Sequence, residues 1–147
     1  MDFLNYKKGF LGYEPRNKIN KVVIVPFGLE KTVSYGSGTK NGPKEIINAS
    51  HQVELFDEEL QKEPCKEIGI KTLKPFAIKK EIKSALKQLS NINKEILENN
   101  KFPLVFGGEH SLTAGSIEPF TTKYDEITIV HFDAHADLRE SYNGEKY

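Results

Sequence analysis

The sequence predicts an α/β protein with a central, mainly parallel sheet and helices on both faces. Apolar runs typical of buried strands alternate along the chain with segments typical of helices. A helix between two such strands returns the chain by a right-handed crossover, which makes the strands parallel and covers the sheet. The 147 residues fit one domain, and 37% hydrophobic with 29% charged residues are typical of a globular protein.

Each strand is predicted from a short run of β-branched and aromatic residues. The clearest runs are VVIVPF at 22–27, FPLVF at 102–106 and ITIVHF at 127–132. The last has apolar residues on both faces of its pleat, as expected for a strand inside a sheet. A weaker strand is predicted for VELF at 53–56.

Three helices are predicted between these strands. Pro43 is suited to the first turn of a helix over 43–50. From 77 to 99, apolar residues recur every three or four positions, and the lysines lie off that stripe. A third helix is predicted over 111–123, where Pro119 indicates a kink or an early stop.

The composition indicates a cytoplasmic protein whose main partner is neither nucleic acid nor membrane. The 21 basic and 21 acidic residues balance, so no charge excess favours phosphate backbones or anionic lipid. No apolar run approaches the length of a membrane span or a signal peptide. The single cysteine, Cys65, excludes an internal disulfide framework and fits a reducing compartment.

Histidine and aspartate side chains are concentrated around two motifs at the ends of predicted strands. GGEHS follows the strand at 102–106, and DAHAD follows the strand at 127–132. Three of the four histidines and three of the five aspartates lie between His110 and Asp137. Ligands of parallel α/β sheets bind outside the carboxyl ends of the strands, so both motifs fall where a site is expected.

The two motifs predict a metal site formed by His110, Asp133, His135 and Asp137. If the chain stays extended, alternate residues of DAHAD leave one face at intervals of about 6.6–6.8 Å. Curvature of the loop can then draw them around a shared centre, which His110 can approach from the neighbouring strand. Imidazole and carboxylate ligands without sulfur suit Mn(II), Zn(II), Fe(II), Co(II) or Ni(II). If Asp133 bridges two ions, a shared water becomes a hydroxide nucleophile near neutral pH.

Simpler roles compete for these and nearby residues. Aspartate and histidine at a strand end can cap the following turn, although the paired motifs favour metal binding. His131 is predicted to be a packed strand histidine, with a contact behind the ligands as the alternative. Glu109 is expected to form a hydrogen bond near His110 rather than to bind metal. The glycine-rich stretch at 34–43 lacks the spacing of a phosphate-binding loop.

The motifs carry a resemblance to a known family. GGEHS, together with VHFDAHADLRESYNGEKY at 130–147, resembles the ureohydrolase (arginase/agmatinase) superfamily and is most similar to its agmatinase members. The stretch at 34–60 and the FLG at 10–12 also resemble agmatinase N-terminal regions. The resemblance covers nearly the whole chain.

The resemblance implies an arginase-like three-layer sandwich, two Mn(II) ions and hydrolysis of a guanidino group to urea and an amine. The expected substrate is agmatine, which gives putrescine, and the intact protein is expected to form homo-oligomers. His110 and Asp137 resemble ligands of one ion, His135 resembles a ligand of the other, and Asp133 resembles a bridge between them. The loop at 143–144 resembles part of a substrate loop, but no substrate contact is assigned.

The same resemblance predicts that residues 1–147 are the N-terminal half of a single ureohydrolase-like domain. Members of the superfamily supply two further aspartate ligands from a later motif, and no such motif follows Tyr147. Three alternatives stay open: a non-catalytic remnant or partner subunit, which we expect to self-associate; a ureohydrolase of the guanidinobutyrase, arginase or formiminoglutamase type; and a mononuclear Zn deacetylase of related fold.

Overall fold

A three-stranded parallel sheet forms the centre of the molecule in the computed structural model, which describes residues 1–15, 19–138, 140–141 and 144. β1 (Val22–Phe27) lies between β2 (Ile70–Thr72) and β3 (Phe102–Gly107), in the order β2-β1-β3. Val22 is in register with both Ile70 and Phe102. The predicted mainly parallel α/β architecture is therefore confirmed.

Within the described part of the chain, four α-helices accompany the sheet. They are α1 (Gly42–Ala49), α2 (Pro64–Ile68), α3 (Ile82–Glu98) and α4 (Leu112–Lys123). Short 3-10 turns occur at Tyr6–Lys8, Phe10–Gly12, Thr39–Asn41 and Ser50–Gln52. Among the described residues, no helix combines the length and the apolar character that crossing a bilayer requires.

The main core lies between β1 and α3. Val23, Val25 and Phe27 alternate along β1 and are completely buried on one face, while Ile24 is equally buried on the other. The predicted apolar stripe of α3 contributes Leu86, Leu89 and Ile96 to this core, and Ala85 of α3 and Leu112 at the start of α4 complete its helical side. The stripe thus faces the sheet, as its spacing predicts.

α4 packs closely against α3 because small and polar residues lie at their contact. A Cβ atom at Gly115 would overlap the backbone of Leu86, so only glycine allows this approach. The buried Asn93 side chain donates hydrogen bonds to the Ser116 carbonyl and hydroxyl oxygens, each at 3.1 Å. α4 continues through Pro119 to Lys123, so the early stop that Pro119 indicated does not occur.

α3 begins at Ile82, five residues after the predicted start. The side chain of Gln88 accepts a hydrogen bond from the Lys79 N–H and donates one to the Ala77 carbonyl, which holds the preceding segment outside the helix. Ile78 still packs against the core from this non-helical position. The apolar spacing was therefore correct, but it continued beyond the helix itself.

Two strand predictions are wrong. Neither residues 53–56 nor the run at 127–132 forms a strand, and the second run pairs with none of the described strands. Val130 and Phe132 in this run are 72% and 95% exposed. The residue composition of a segment indicates that it can form a strand. It does not indicate whether a neighbouring strand is available to pair with it. The structure instead contains β2 and α2, which the sequence analysis missed.

Candidate metal centre

The loop that carries GGEHS packs directly on the loop after β1. The Glu109 N–H donates a 2.9 Å hydrogen bond to the carbonyl oxygen of Leu29. A Cβ atom at Gly108 would overlap that same carbonyl, which explains why glycine precedes Glu109. This close approach places His110 at the end of β3, exposed to solvent and facing the segment that carries DAHAD.

Four candidate ligands converge at this position. His110, His131, Asp133 and Asp137 each offer one ligand atom, and these atoms all lie within 4.8 Å of one another. The His110 Nδ1 atom lies 3.3 Å from Asp133 Oδ2 and 3.2 Å from Asp137 Oδ2. The His131 Nε2 atom lies 3.3 Å from the same oxygen of Asp133.

Asp133 is contacted on both of its carboxylate oxygens. Its Oδ2 atom faces His110 and His131, whereas its Oδ1 atom accepts the backbone N–H of His135 at 2.8 Å and lies 3.2 Å from the His135 Nδ1 atom. The backbone N–H of His135 is the main cause that lowers the pKa of Asp133 to about 2, and the His131 and His135 side chains add to it. The carboxylate is therefore ionised at neutral pH.

The chain bends so that both aspartates of the motif reach His110. Asp137 has a positive φ of 51°, a left-handed conformation that aspartate tolerates better than most residues. The motif is therefore curved and not evenly extended, as expected if its side chains are to share a centre. The bend brings the Asp133 and Asp137 carboxylates to the same imidazole nitrogen of His110.

The donor set fits a divalent metal ion. Two carboxylates that converge within a few ångströms repel each other, and a cation between them relieves that repulsion. Imidazole and carboxylate ligands match the borderline metals from Mn(II) to Zn(II). The only cysteine, Cys65, does not belong to the group.

The structure brings together three of the four residues predicted as ligands and adds one. His110, Asp133 and Asp137 are in the converging group, while the side chain of His135 is 82% exposed and contacts Asp133 from outside it. His131 takes part instead; its prediction as a packed strand histidine is wrong because its segment is not in the sheet and its side chain is 40% exposed. Its position two residues before Asp133 was the available signal.

Glu109 is the buried acidic residue next to the group. Burial alone would raise the pKa of Glu109, but hydrogen bonds from Ser111, Lys31 and Thr32 outweigh it and hold the pKa below its ordinary value. Glu109 is only 8% exposed, and the predicted hydrogen bond near His110 is present as its contact with the Ser111 hydroxyl.

Comparison with known proteins identifies the family of this chain. The family model described as "Arginase family" matches residues 20–147, so the chain belongs to the arginase family. Among curated relatives, the N(1)-aminopropylagmatine ureohydrolase of Synechocystis sp. is 34% identical over 129 residues, covering 84% of this chain and 42% of the relative. The agmatinase of Bacillus cereus is 34% identical over 142 residues, covering 94% and 48%.

Solved structures agree on the fold. A putative agmatinase from Clostridium difficile superposes with a TM-score of 0.78 at 24% identity, covering 88% of this chain and 47% of that one. The arginase of Bacillus subtilis superposes with a TM-score of 0.61 at 26% identity, covering 83% and 40%. The chain thus spans less than half the length of the relatives that it matches.

Proposed function

We propose that this protein is a metal-dependent ureohydrolase that releases urea from agmatine and leaves putrescine, and that residues 1–147 form the N-terminal half of its domain. The observation that carries this proposal is the convergence of imidazole and carboxylate ligand atoms on Asp133, at the carboxyl end of a parallel sheet of the arginase fold. The agmatinase of Bacillus cereus, at 34% identity, supports the choice of reaction.

The contacts of Asp133 support a two-metal arrangement. One of its oxygens faces His110, which also contacts Asp137, and its other oxygen faces His135. This is the division that we propose for the ligands: His110 and Asp137 for one Mn(II) ion, His135 for the other, and Asp133 between them. A mononuclear Zn site would leave one side of Asp133 unused.

The residues of the centre act by orientation and charge. Bound metal ions would supply Lewis acidity and lower the pKa of a water molecule so that it attacks a guanidinium carbon. Asp133 and Asp137 supply the negative charge that holds divalent ions. His110 and His135 would supply nitrogen ligands of the kind that Mn(II) and the other borderline metals accept. The single cysteine needs no role, because no covalent nucleophile is required.

A second substrate is favoured by a specific finding. The N(1)-aminopropylagmatine ureohydrolase of Synechocystis sp. is as similar to this chain as the Bacillus cereus agmatinase, at 34% identity. Both substrates present the same guanidino group, so the proposed centre suits either.

We place the protein in the cytoplasm as a homo-oligomer, in keeping with its single cysteine and its family.

Urea release should depend on Mn(II). We expect the complete gene product, stripped with chelator and reloaded with Mn(II), to release urea from agmatine or N1-aminopropylagmatine, whereas the stripped protein releases none. A colorimetric urea assay with both substrates, and with arginine and 4-guanidinobutyrate for comparison, measures this. Absence of urea from every guanidino compound at full Mn(II) loading would overturn the proposal.

The His135→Ala variant should bind one Mn(II) ion per chain instead of two. Its ring lies on the side of Asp133 away from the His110 group, so its loss should empty one position and leave the other. Mass spectrometry of bound metal after gel filtration measures the ratio. His51→Ala is the control, because the His51 ring contacts the Gly9 carbonyl and should leave two ions bound. Two ions in His135→Ala would contradict the ligand assignment.

A further inference from the structure

We propose that Glu109 is a positioning residue for the metal centre: it ties the loop after β1 to the loop that carries His110, and thereby holds that histidine ready to bind metal. We call residues 28–41 the β1 loop and residues 108–111 the His110 loop. The inference rests on the proposed function, since it concerns how the same centre is assembled.

The carboxylate of Glu109 receives four hydrogen bonds, three of them from the β1 loop. Its Oε2 atom accepts the backbone N–H groups of Lys31 and Thr32 at 2.5 and 2.8 Å. Its Oε1 atom accepts the hydroxyl groups of Thr32 and Ser111 at 2.7 and 2.6 Å. One buried side chain therefore joins the two loops, in addition to the backbone hydrogen bond between Glu109 and Leu29.

His110 depends on this connection because its own side chain is weakly held. The ring is 48% exposed, and its contacts are with Asp133 and Asp137 on a segment outside the sheet. Both residues that flank His110 take part in the connection: the Glu109 carboxylate accepts the backbone N–H of Lys31, and the Ser111 hydroxyl donates to the same carboxylate. A ligand fixed before the metal arrives loses less conformational entropy on binding, so the connection should raise metal affinity.

The four donors define which substitutions should be tolerated. Alanine at 109 leaves two backbone N–H groups and two hydroxyls without their acceptor, and it releases the β1 loop from the His110 loop. Glutamine can keep its oxygen toward the two N–H groups and donate its NH₂ group to the hydroxyls of Thr32 and Ser111, which can also accept. The expected order of metal affinity is therefore Glu, then Gln, then Ala.

Glu30 provides a matched control on the same loop. Its carboxylate accepts the backbone N–H groups of Gly38 and Lys40 at 2.6 and 3.2 Å and pairs with the Lys40 ammonium at 3.5 Å. It thus performs the same kind of loop anchoring at the other end of the β1 loop, without touching the His110 loop. A loss of stability through loop release should occur in both variants, whereas an effect on metal should occur only at Glu109.

The experiment compares Mn(II) affinity, by calorimetry, in Glu109→Ala, Glu109→Gln and Glu30→Ala of the complete gene product, with the visible absorption of bound Co(II) as a spectroscopic readout. We expect Glu109→Ala to bind Mn(II) about 10- to 100-fold more weakly, which is the effect of losing a residue that orients a ligand. Glu109→Gln should recover most of that loss, and Glu30→Ala should retain wild-type affinity and Co(II) absorption.

Three outcomes separate the possibilities. Wild-type Mn(II) affinity and Co(II) absorption in Glu109→Ala, or an equal loss in Glu30→Ala, would overturn the positioning role while leaving the proposed function standing. Absence of Mn(II) binding by the wild-type protein would instead overturn the proposed function. If Glu109→Ala does not fold, Thr32→Val decides: it removes one donor of the connection, so unchanged Mn(II) affinity there overturns the inference, and weaker binding supports it.

Discussion

The Asp133→Asn variant should lose metal and urea release together. Asparagine keeps the size of the side chain but removes the charge from the one residue that all three nearby histidines contact. Replacing residues that merely orient ligands costs about 10- to 100-fold, so loss of the proposed bridging ligand should lower urea release by at least about 100-fold. Bound Mn(II) per chain, measured by mass spectrometry, should fall in parallel.

Asp125→Asn is the matched control for this prediction. Asp125 is an exposed aspartate just after α4 and lies outside the converging group, so the same change of charge should leave metal content and urea release near wild type. A full complement of Mn(II) and a normal rate in Asp133→Asn would contradict both the bridging role and the proposed centre.

The Phe27→Ala variant should be the most destabilising single truncation in the core. Among the described residues, Phe27 is the largest completely buried side chain; it ends β1 and packs against Phe76, with 6.0 Å between ring centroids. Removing a buried phenylalanine side chain costs about 3–5 kcal/mol of unfolding free energy. For a chain of this size, the melting temperature should fall by roughly 6–20 °C, as measured by circular dichroism.

Phe56→Ala removes the same atoms from a position that is 53% exposed. Its cost should stay within about 0.5 kcal/mol, as for most surface substitutions. Equal shifts in the two variants would show that the core is not where the structure places it.

Local patterns predicted the elements that neighbouring residues determine. β1 and β3 were found from their β-branched and aromatic runs, and α1, α3 and α4 from their spacing and from Pro43. The errors arose where contacts between residues distant in sequence determine the structure. The start of α3 depends on Gln88 contacting residues 77 and 79, and the run at 127–132 lacks a paired neighbour.

In the metal centre, too, the parts that depend on nearby residues were predicted and the parts that depend on distant contacts were not. The expectation that the GGEHS and DAHAD motifs meet came from their positions at strand ends, and His110, Asp133 and Asp137 do converge. For His131 the sequence offered only its position near Asp133, because its place in the group depends on a segment that lies outside the sheet and on the left-handed conformation of Asp137. The donors of three of the four hydrogen bonds to Glu109 could not be predicted either, because they belong to residues 31 and 32, which are far away in sequence.

The central position of β1 has a consequence for synthesis on the ribosome. Both partners of this strand come later in the chain: Val22 pairs with Ile70 and with Phe102, which lies 80 residues further on. At roughly 5–20 residues per second, β1 waits about 4–16 s for its second neighbour. Until then β1 can pair only with β2, so its edge toward β3 stays unpaired, and nascent chains should engage a holding chaperone between the emergence of β1 and that of β3.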